Sequence, residues 1–491
     1  MIDAPWPCSA NVVIQLCNHP EQEMGLSFAM VRFALVGLLA FFSIASALPA
    51  SNFARALEDP TTDPFYRPPA GFEDKAPGTI LAQRNISAAF LGLIPNPIEA
   101  HQLLYRTTAV NGSAISTVTT IFKPKNAKSD RFVSFATAYD SSAVKCNPSY
   151  AYRLGASQDS LVASAEVLII EAYLLLGYTV ASPDYEGPDA AFGPGRLAGM
   201  GVLDGIRAVT NFDTLGLSKN PMVVGIGYSG GAIATGWAGS LQPTYAPELN
   251  IKGWIQGGTP ANLTGTLLTL DNTVFSGFAA AAVVGLSVPS AYGAELKPVV
   301  DRILTPEGKK IIDATAQQCA VQDLVTFFER SLFDPKIQTL GAGLLDEPTI
   351  HSILQDNVMG VKKDETPTAP TFVYHATRDE IIPYSNTSTM VDSWCNWGAN
   401  VKFTTYANGG HATTELIAVP EAIKFLEAAF DGTVEAGCTT NTELSNILNP
   451  LALGTDLEPI LVKLIDGLTH LGEKDANVKN DISVLGIKLP V

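Results

Sequence analysis

The chain has 491 residues, 46% hydrophobic and 16% charged, enough apolar material for a large core and a length compatible with two or three domains. Its 31 basic residues against 48 acidic ones give a net charge of −17, which argues against a phosphate-backbone partner, so no nucleic acid is expected, and against docking on anionic membranes. No long polar or single-residue tract points to extended disorder, so a compact globular protein is expected.

Met30 to Ala50 hold one basic residue, an apolar run from Phe33 to Ala47 and the small-x-small triplet Ala45-Ser46-Ala47, the pattern of a secretory signal. The 29 residues before Met30 do not resemble a signal n-region, so translation is expected from Met24 or Met30. Were Met1 the start, the run would serve as an uncleaved anchor; otherwise the mature chain has no stable membrane span. Cleavage removes Cys8 and Cys17 and leaves Cys146, Cys319, Cys395 and Cys438, an even set that predicts two disulfides in an oxidising, extracellular setting. Their spacing fits no zinc pattern, and no metal is expected. Sequons at Asn85, Asn111, Asn262 and Asn386 are candidate glycosylation sites.

A proline-rich lead-in around "EDPTTDPFYRPP" predicts a strap over the surface. From His101 the segments "HQLLYRTT", "AISTVTTIFKP" and "FVSFATAYD" read as strands, the first two joined by a hairpin at Asn111-Gly112. Strands then alternate with helices through "AEVLIIEAYLLLG", "YTVASPDYEG", "RLAGMGVLDGIRAVTNF", "PMVVGIGYSGG" and "IKGWIQGG", which predicts a largely parallel sheet covered by helices. Strand signals vanish between about Ala261 and Lys363, where "LTGTLLTLDNTVFSGFAAAAVVGL" and "VQDLVTFFERSLF" read as helical. They resume with "TFVYH" and "ANVKFTTYA", and "PEAIKFLEAAF" closes the domain as a helix. The expected organisation is an extension plus signal at 1–47, an α/β core at 48–260 and 364–437, a helical insertion at 261–363, and a tail at 438–491 with helical spacing from Leu457 to Leu468.

Gly227-Tyr228-Ser229-Gly230-Gly231 matches G-x-S-x-G, a turn between strand and helix whose glycines give the serine room. A serine hydroxyl is a weak nucleophile and needs a base, which in turn needs a carboxylate to fix its tautomer. Asp379 after "TFVYH" and His411 after "YANGG" follow in the order Ser, Asp, His, each where a strand gives way to a loop. His375 lies within its strand and reads as a core histidine, while Asp184 and Glu186 come too early in the chain to be the acid. The backbone N–H of Gly230 is one expected donor to an oxyanion, and the segment Tyr139 to Ser141 is the candidate for a second.

These residues, with "ATRDEIIP", "GGHATTE", "YDSS" followed by "CNPSYAY", and "PDYEGP", resemble the fungal secretory lipase family from about Asp59 to Cys438. The resemblance implies an α/β-hydrolase core with an inserted helical cap or lid. It also implies an oxyanion held by Gly230 and Asp140, and disulfides Cys146–Cys319 and Cys395–Cys438. The residues before Met30 and the tail beyond Cys438 depart from the family pattern, and the tail is a candidate flap.

The expected function is a secreted serine hydrolase of carboxylic esters, foremost a triacylglycerol lipase working at an oil–water interface, with Ser229 as nucleophile, His411 as base and Asp379 as its orienting acid. No cofactor is implied. Alternatives are an esterase for shorter esters, a serine peptidase or amidase anchored by acidic cap residues such as Glu295 and Asp301, and a non-catalytic binding protein.

Overall fold

A computed structural model describes residues 57–444. The apolar run from Phe33 to Ala47, Cys8, Cys17 and the repeat from Leu457 to Leu468 lie outside the described residues.

Ten strands form one sheet: β1 (Ile80–Asn85), β2 (Glu99–Thr108), β3 (Ala114–Lys123), β4 (Arg131–Ala136), β5 (Thr179–Pro183), β6 (Met222–Tyr228), β7 (Ile251–Gly257), β8 (Thr371–Ala376), β9 (Val401–Tyr406) and β10 (Thr439–Glu443). Their spatial order is β1-β2-β3-β5-β4-β6-β7-β8-β9-β10. The first three are antiparallel, and every pairing from β5 to β10 is parallel. The β2–β3 hairpin turns at the expected place: Gly112 sits at φ 84°, and the Asn111 side chain accepts the N–H of Ser113.

The parallel strands from β5 to β8 in the sheet order are buried on both faces, and alternate residues feed two separate apolar layers. Val133, Val224 and Phe372 pack with α1 (Leu161–Leu175) and the closing helix, whereas Phe132, Val223 and Trp254 pack with α2 (Gly195–Thr210) and α3 (Gly230–Tyr245). Each such large side chain withdrawn from water contributes about 1.5–3 kcal/mol. The proline-rich lead-in is tied down by Asp63, which accepts hydrogen bonds from Arg84 and Arg153, and by Tyr66, whose hydroxyl meets that of Ser149.

Between β7 and β8 the described chain has no strand of the main sheet but six helices: α4 (Leu263–Leu270), α5 (Gly277–Leu286), α6 (Gly293–Ile303), α7 (Pro306–Thr315), α8 (Ala320–Thr326) and α9 (Pro348–Asp356). The long apolar stretch after Asn262 is two helices. Asp271 breaks it, because its carboxylate accepts from Ser331 Oγ and Leu332 N and so draws the chain out of the helix. Helix α10 (Tyr384–Asn396) follows β8, and α11 (His411–Asp431) follows β9.

Two boundaries differ from the sequence reading. Helix α11 starts at His411 and carries Pro420 inside it, nine residues before the point where proline signalled a first turn. Thr439–Glu443, expected to open the tail, instead add β10 to the sheet edge directly after the Cys395–Cys438 disulfide that holds the chain there.

The other disulfide, Cys146–Cys319, joins the segment after β4 to the residue capping α8 across a sequence separation of 173. Replacing both cysteines with alanine is expected to cost about 2–5 kcal/mol, read as a lowered Tm by calorimetry.

Candidate active site

The loops that follow β4, β6, β8 and β9 all leave the carboxyl edge of the parallel sheet, the edge where such sheets gather their sites. Asp140, Ser229, Asp379 and His411 lie on these four loops or at their ends.

Ser229 sits between β6 and α3 at φ 52° and ψ −121°, a conformation normally left to glycine. A Cβ on Gly227 would collide with the carbonyl of Gly231, and one on Gly231 with the carbonyl of Ala136 in β4. The two glycines therefore let the helix start directly against the sheet. The turn is held by the Ser229 N–H donating to Gly257 O at 3.0 Å and by Ser229 O accepting from Ala232 and Ile233.

Asp379 Oδ2 lies 2.7 Å from His411 Nδ1 and 3.2 Å from His375 Nε2. Its Oδ1 accepts the N–H groups of Ile381 and Ile382 at 3.0 and 2.7 Å. Burial pulls this carboxyl upward, but His411 and His375 outweigh it and hold it well below the carboxylate range. His375, read from the sequence as a core histidine, is fully buried in β8; Nε2 also faces Ile382 O at 3.1 Å, so both of its neighbours are acceptors and it carries the ring proton.

His411 opens α11 with its ring 5.0 Å from that of Tyr228, whose hydroxyl donates to His411 O. Glu380 accepts the His411 backbone N–H at 2.9 Å. A Cβ on Gly258, next to the Gly257 that binds the Ser229 amide, would touch His411 Cε1, so the ring stands beside the elbow. Burial lowers the imidazole's proton affinity, but the charge and hydrogen bond of Asp379, with Glu380 and Glu415, win and raise its pKa to about 9. With Nδ1 committed to Asp379, Nε2 is buried and carries no hydrogen bond, so in the neutral imidazole, the form present above that pKa, it is the nitrogen open to a proton.

Gly230 opens α3, where the first N–H groups have no acceptor within the helix. A Cβ there would run into Asp140 Oδ1. Asp140 has φ 47°, is buried, and its Oδ1 has no hydrogen-bond partner. Burial pushes its carboxyl up to about 6 against the pull of His411, so a proton that could be donated is retained in mildly acid solution. The loop around it is sewn to the helical insertion: Ser141 Oγ accepts from Ala320 N and Ser142 Oγ donates to Ala281 O.

Ser229, Gly230 and Asp140 line one part of a cavity that runs among α4, α5, α6 and α9. The other lining residues are almost all apolar, among them Phe192, Ile233, Phe278, Val283 and Leu296. Of the two further polar ones, Gln338 donates to Leu332 O and Gly341 O and accepts from Leu340 N, and Thr266 donates to Asn262 O. Both are spent on backbone, so the polar groups available to a ligand are those at Ser229.

A sequence model of the secretory lipase family matches residues 152–437. The chain belongs to the secretory lipase family. Two secreted triacylglycerol lipases of Malassezia furfur are related to it: one is 39% identical over 434 residues, covering 86% of this chain and 88% of the relative. The other is 41% identical over 418 residues, covering 84% and 88%. Among solved structures, Candida antarctica lipase A in its closed state matches with TM-score 0.76 at 33% identity, over 86% of this chain and 98% of that one. The fold is accordingly that of an α/β-hydrolase. A putative hydrolase from Legionella pneumophila, 12% identical with TM-score 0.57, shares the fold alone.

Of the sequon asparagines, Asn85 and Asn111 are exposed, and Asn262 caps α4 by accepting from Thr264 N and Gly265 N. Asn386 Nδ2 is buried against Gly265, with no room for a glycan in the folded protein. Among the described residues no cluster of three or more His, Cys, Asp or Glu could hold a metal, and no helix is long and apolar enough to cross a membrane. Sequence reading missed Glu166, Glu380 and Glu415, each buried or half-buried near His411 or Asp140, because no spacing rule joins them to Ser229, Asp379 and His411.

A Gly230→Ala substitution places its methyl group against the Asp140 carboxyl. Esterase kcat is expected to fall on the order of 10²–10³, as when an oxyanion donor is displaced, with Tm little changed by calorimetry.

Proposed function

We propose that the protein is a secreted triacylglycerol lipase whose nucleophile is Ser229, with His411 as general base and Asp379 as the acid that orients it. The observation that carries this reading is the pairing of a nearly all-apolar cavity with polar groups confined to Ser229, Gly230 and Asp140. An acyl chain fills such a space without leaving any buried polar group unpaired, and its ester carbonyl then lies at the serine.

In the reaction, Ser229 Oγ attacks the ester carbonyl carbon while His411 Nε2 takes the hydroxyl proton. The negative charge that develops on the carbonyl oxygen meets the Gly230 N–H and the protonated Asp140, whose proton affinity rises further beside an anion. The tetrahedral intermediate collapses, the alcohol leaves with the proton from His411, and an acyl-Ser229 ester remains. Water, deprotonated by the same nitrogen, attacks that ester, and as the fatty acid leaves His411 returns the proton to Ser229 Oγ. Asp379 stays ionised throughout and stabilises the imidazolium.

The helical insertion at 261–363 serves as the cap that supplies the acyl channel, and the substrate is presented at an oil–water interface. The acidic residues that would anchor a peptide terminus do not favour a peptidase: Glu295 and Asp301 are exposed on α6, and Asp301 is paired with Lys297.

Rates on p-nitrophenyl esters are expected to rise from acetate to octanoate and longer chains; a preference for acetate would remove the lipase reading and leave an esterase. Ser229→Ala is expected to lower kcat by on the order of 10⁶. Ala282→Trp, which intrudes on the cavity lining, is expected to reduce palmitate hydrolysis at least about tenfold relative to butyrate.

A further inference from the structure

Asp379 and Glu380 are consecutive in the chain, and both reach His411, but only Asp379 has a part in the steps above. Asp379 holds the ring through Nδ1. Glu380, which is 2% exposed, holds the main chain: its Oε2 accepts the His411 N–H at 2.9 Å. His411 is the first residue of α11, where the opening N–H groups have no acceptor inside the helix, and the capping position before it is Gly410, which has no side chain to supply one. Glu380 comes from the loop after β8 and caps this helix from outside. The carbonyl of the same residue is fastened as well, because His411 O accepts from the Tyr228 hydroxyl at 2.7 Å.

We propose that Glu380 is a positioning residue for the reaction: its carboxylate caps α11 at His411, fixes the backbone from which the imidazole projects, and places a negative charge next to the base. The inference rests on the reading of Ser229, His411 and Asp379 given above. The loop is stiff where Glu380 leaves it, since Asp379 Oδ1 accepts the N–H groups of Ile381 and Ile382 and so closes a turn around residue 380. The turn that presents the Asp379 carboxylate to the ring therefore also presents the Glu380 carboxylate to the helix start. Ring and main chain of His411 are gripped separately, by neighbouring residues of one turn. With its N–H, carbonyl and Nδ1 all committed, the residue keeps Nε2 for the chemistry.

The ionised form of Glu380 suits this place, because a carboxylate that accepts an N–H at a helix N-terminus meets the positive end of the helix dipole and makes a charge-assisted bond. The other titratable groups facing His411 are Asp379 from the same loop, Asp140 from the loop after β4, Glu415 one turn along α11, and Tyr228 from β6, whose ring lies 5.0 Å from the imidazole. Burial, with Asp379 and the neighbouring carboxylates, pushes the Tyr228 phenol far up, so it acts as a neutral donor. Arg378, the cation nearest to Glu380 in sequence, is exposed. As His411 turns to imidazolium in the transition state, the charge held at its backbone by Glu380 adds to the stabilisation that Asp379 gives at its ring.

The test uses the full chain with Glu380→Gln and Glu380→Leu. It reads kcat, KM and the pH dependence of kcat/KM on p-nitrophenyl butyrate, with covalent labelling by a p-nitrophenyl alkylphosphonate. Glutamine keeps an acceptor for the His411 N–H and loses the charge, whereas leucine loses both. Without the charge the imidazolium is less favoured, so the acid limb of kcat/KM is expected to move to lower pH in both variants, by about half a unit or more. At the plateau of each profile kcat is expected to fall about tenfold or more in Glu380→Leu with KM little moved, and Glu380→Gln to recover most of that loss. An acid limb that stays in place, or a kcat no higher with glutamine than with leucine, overturns the inference. If Glu380→Leu does not fold, the limb of Glu380→Gln decides alone. Failure of the phosphonate to label wild-type Ser229 would instead overturn the underlying reading, whereas a labelled wild type with an unmoved limb in the variants overturns only the role of Glu380.

Discussion

Three stretches of backbone meet at the elbow with no space for a side chain between them. The start of α3 presses on the end of β6 at Gly227 and Gly231, and on β4 at the Ala136 carbonyl. That approach forces Ser229 to φ 52°, at a cost of about 1–3 kcal/mol that the surrounding sheet and helix must offset. The consequence is positional. The serine is lifted out of the sheet, its amide is tied to Gly257, and the first N–H groups of α3 are left without an acceptor inside the helix. The ring of His411 is placed by the neighbouring Gly258, whose missing Cβ leaves room for it.

Electrostatics at this edge is a matter of which acid keeps its charge. Asp140, Glu166, Glu186, Asp379, Glu380 and Glu415 crowd one small region with few cations among them. Asp379 stays ionised because two histidines and two amides surround it. Asp140 and Glu186 lack such partners, Glu166 has only the Ala138 N–H, and burial raises all three. The same crowding keeps His411 avid for protons, which suits a base that must become an imidazolium while an oxyanion forms beside it.

What could be read in advance follows from how local each feature is. Ser229, Gly227 and Gly231 sit in one five-residue turn, and Asp379 and His411 each follow a short apolar strand, so strand pattern plus chain order finds them. Asp140 lies in no recognisable motif of its own: its place at a strand end marks the segment Tyr139 to Ser141, and only the likeness to relatives singles out the aspartate within it. The start of α11 was misplaced because Pro420 mimics a first turn, while the Glu421 carboxylate of that helix holds Thr404 and Tyr406 of β9 from inside it. The strand β10 is polar and short, and its place depends on a disulfide partner 43 residues away, which no local pattern shows. Glu166, Glu380 and Glu415 look like ordinary surface acids in a sequence, since burial is a property of the folded chain.

The account comes down to a chemical group at one end of a dry channel. The most direct test is a crystal structure of the protein inactivated with a long-chain alkylphosphonate. Phosphorus bonded to Ser229 Oγ, its phosphoryl oxygen within hydrogen-bond distance of Gly230 N and the Asp140 carboxyl, and the alkyl chain lying along Phe278, Val283 and Leu296 is the result this account predicts. An unmodified Ser229, or a chain directed into solvent away from α5 and α6, would contradict it.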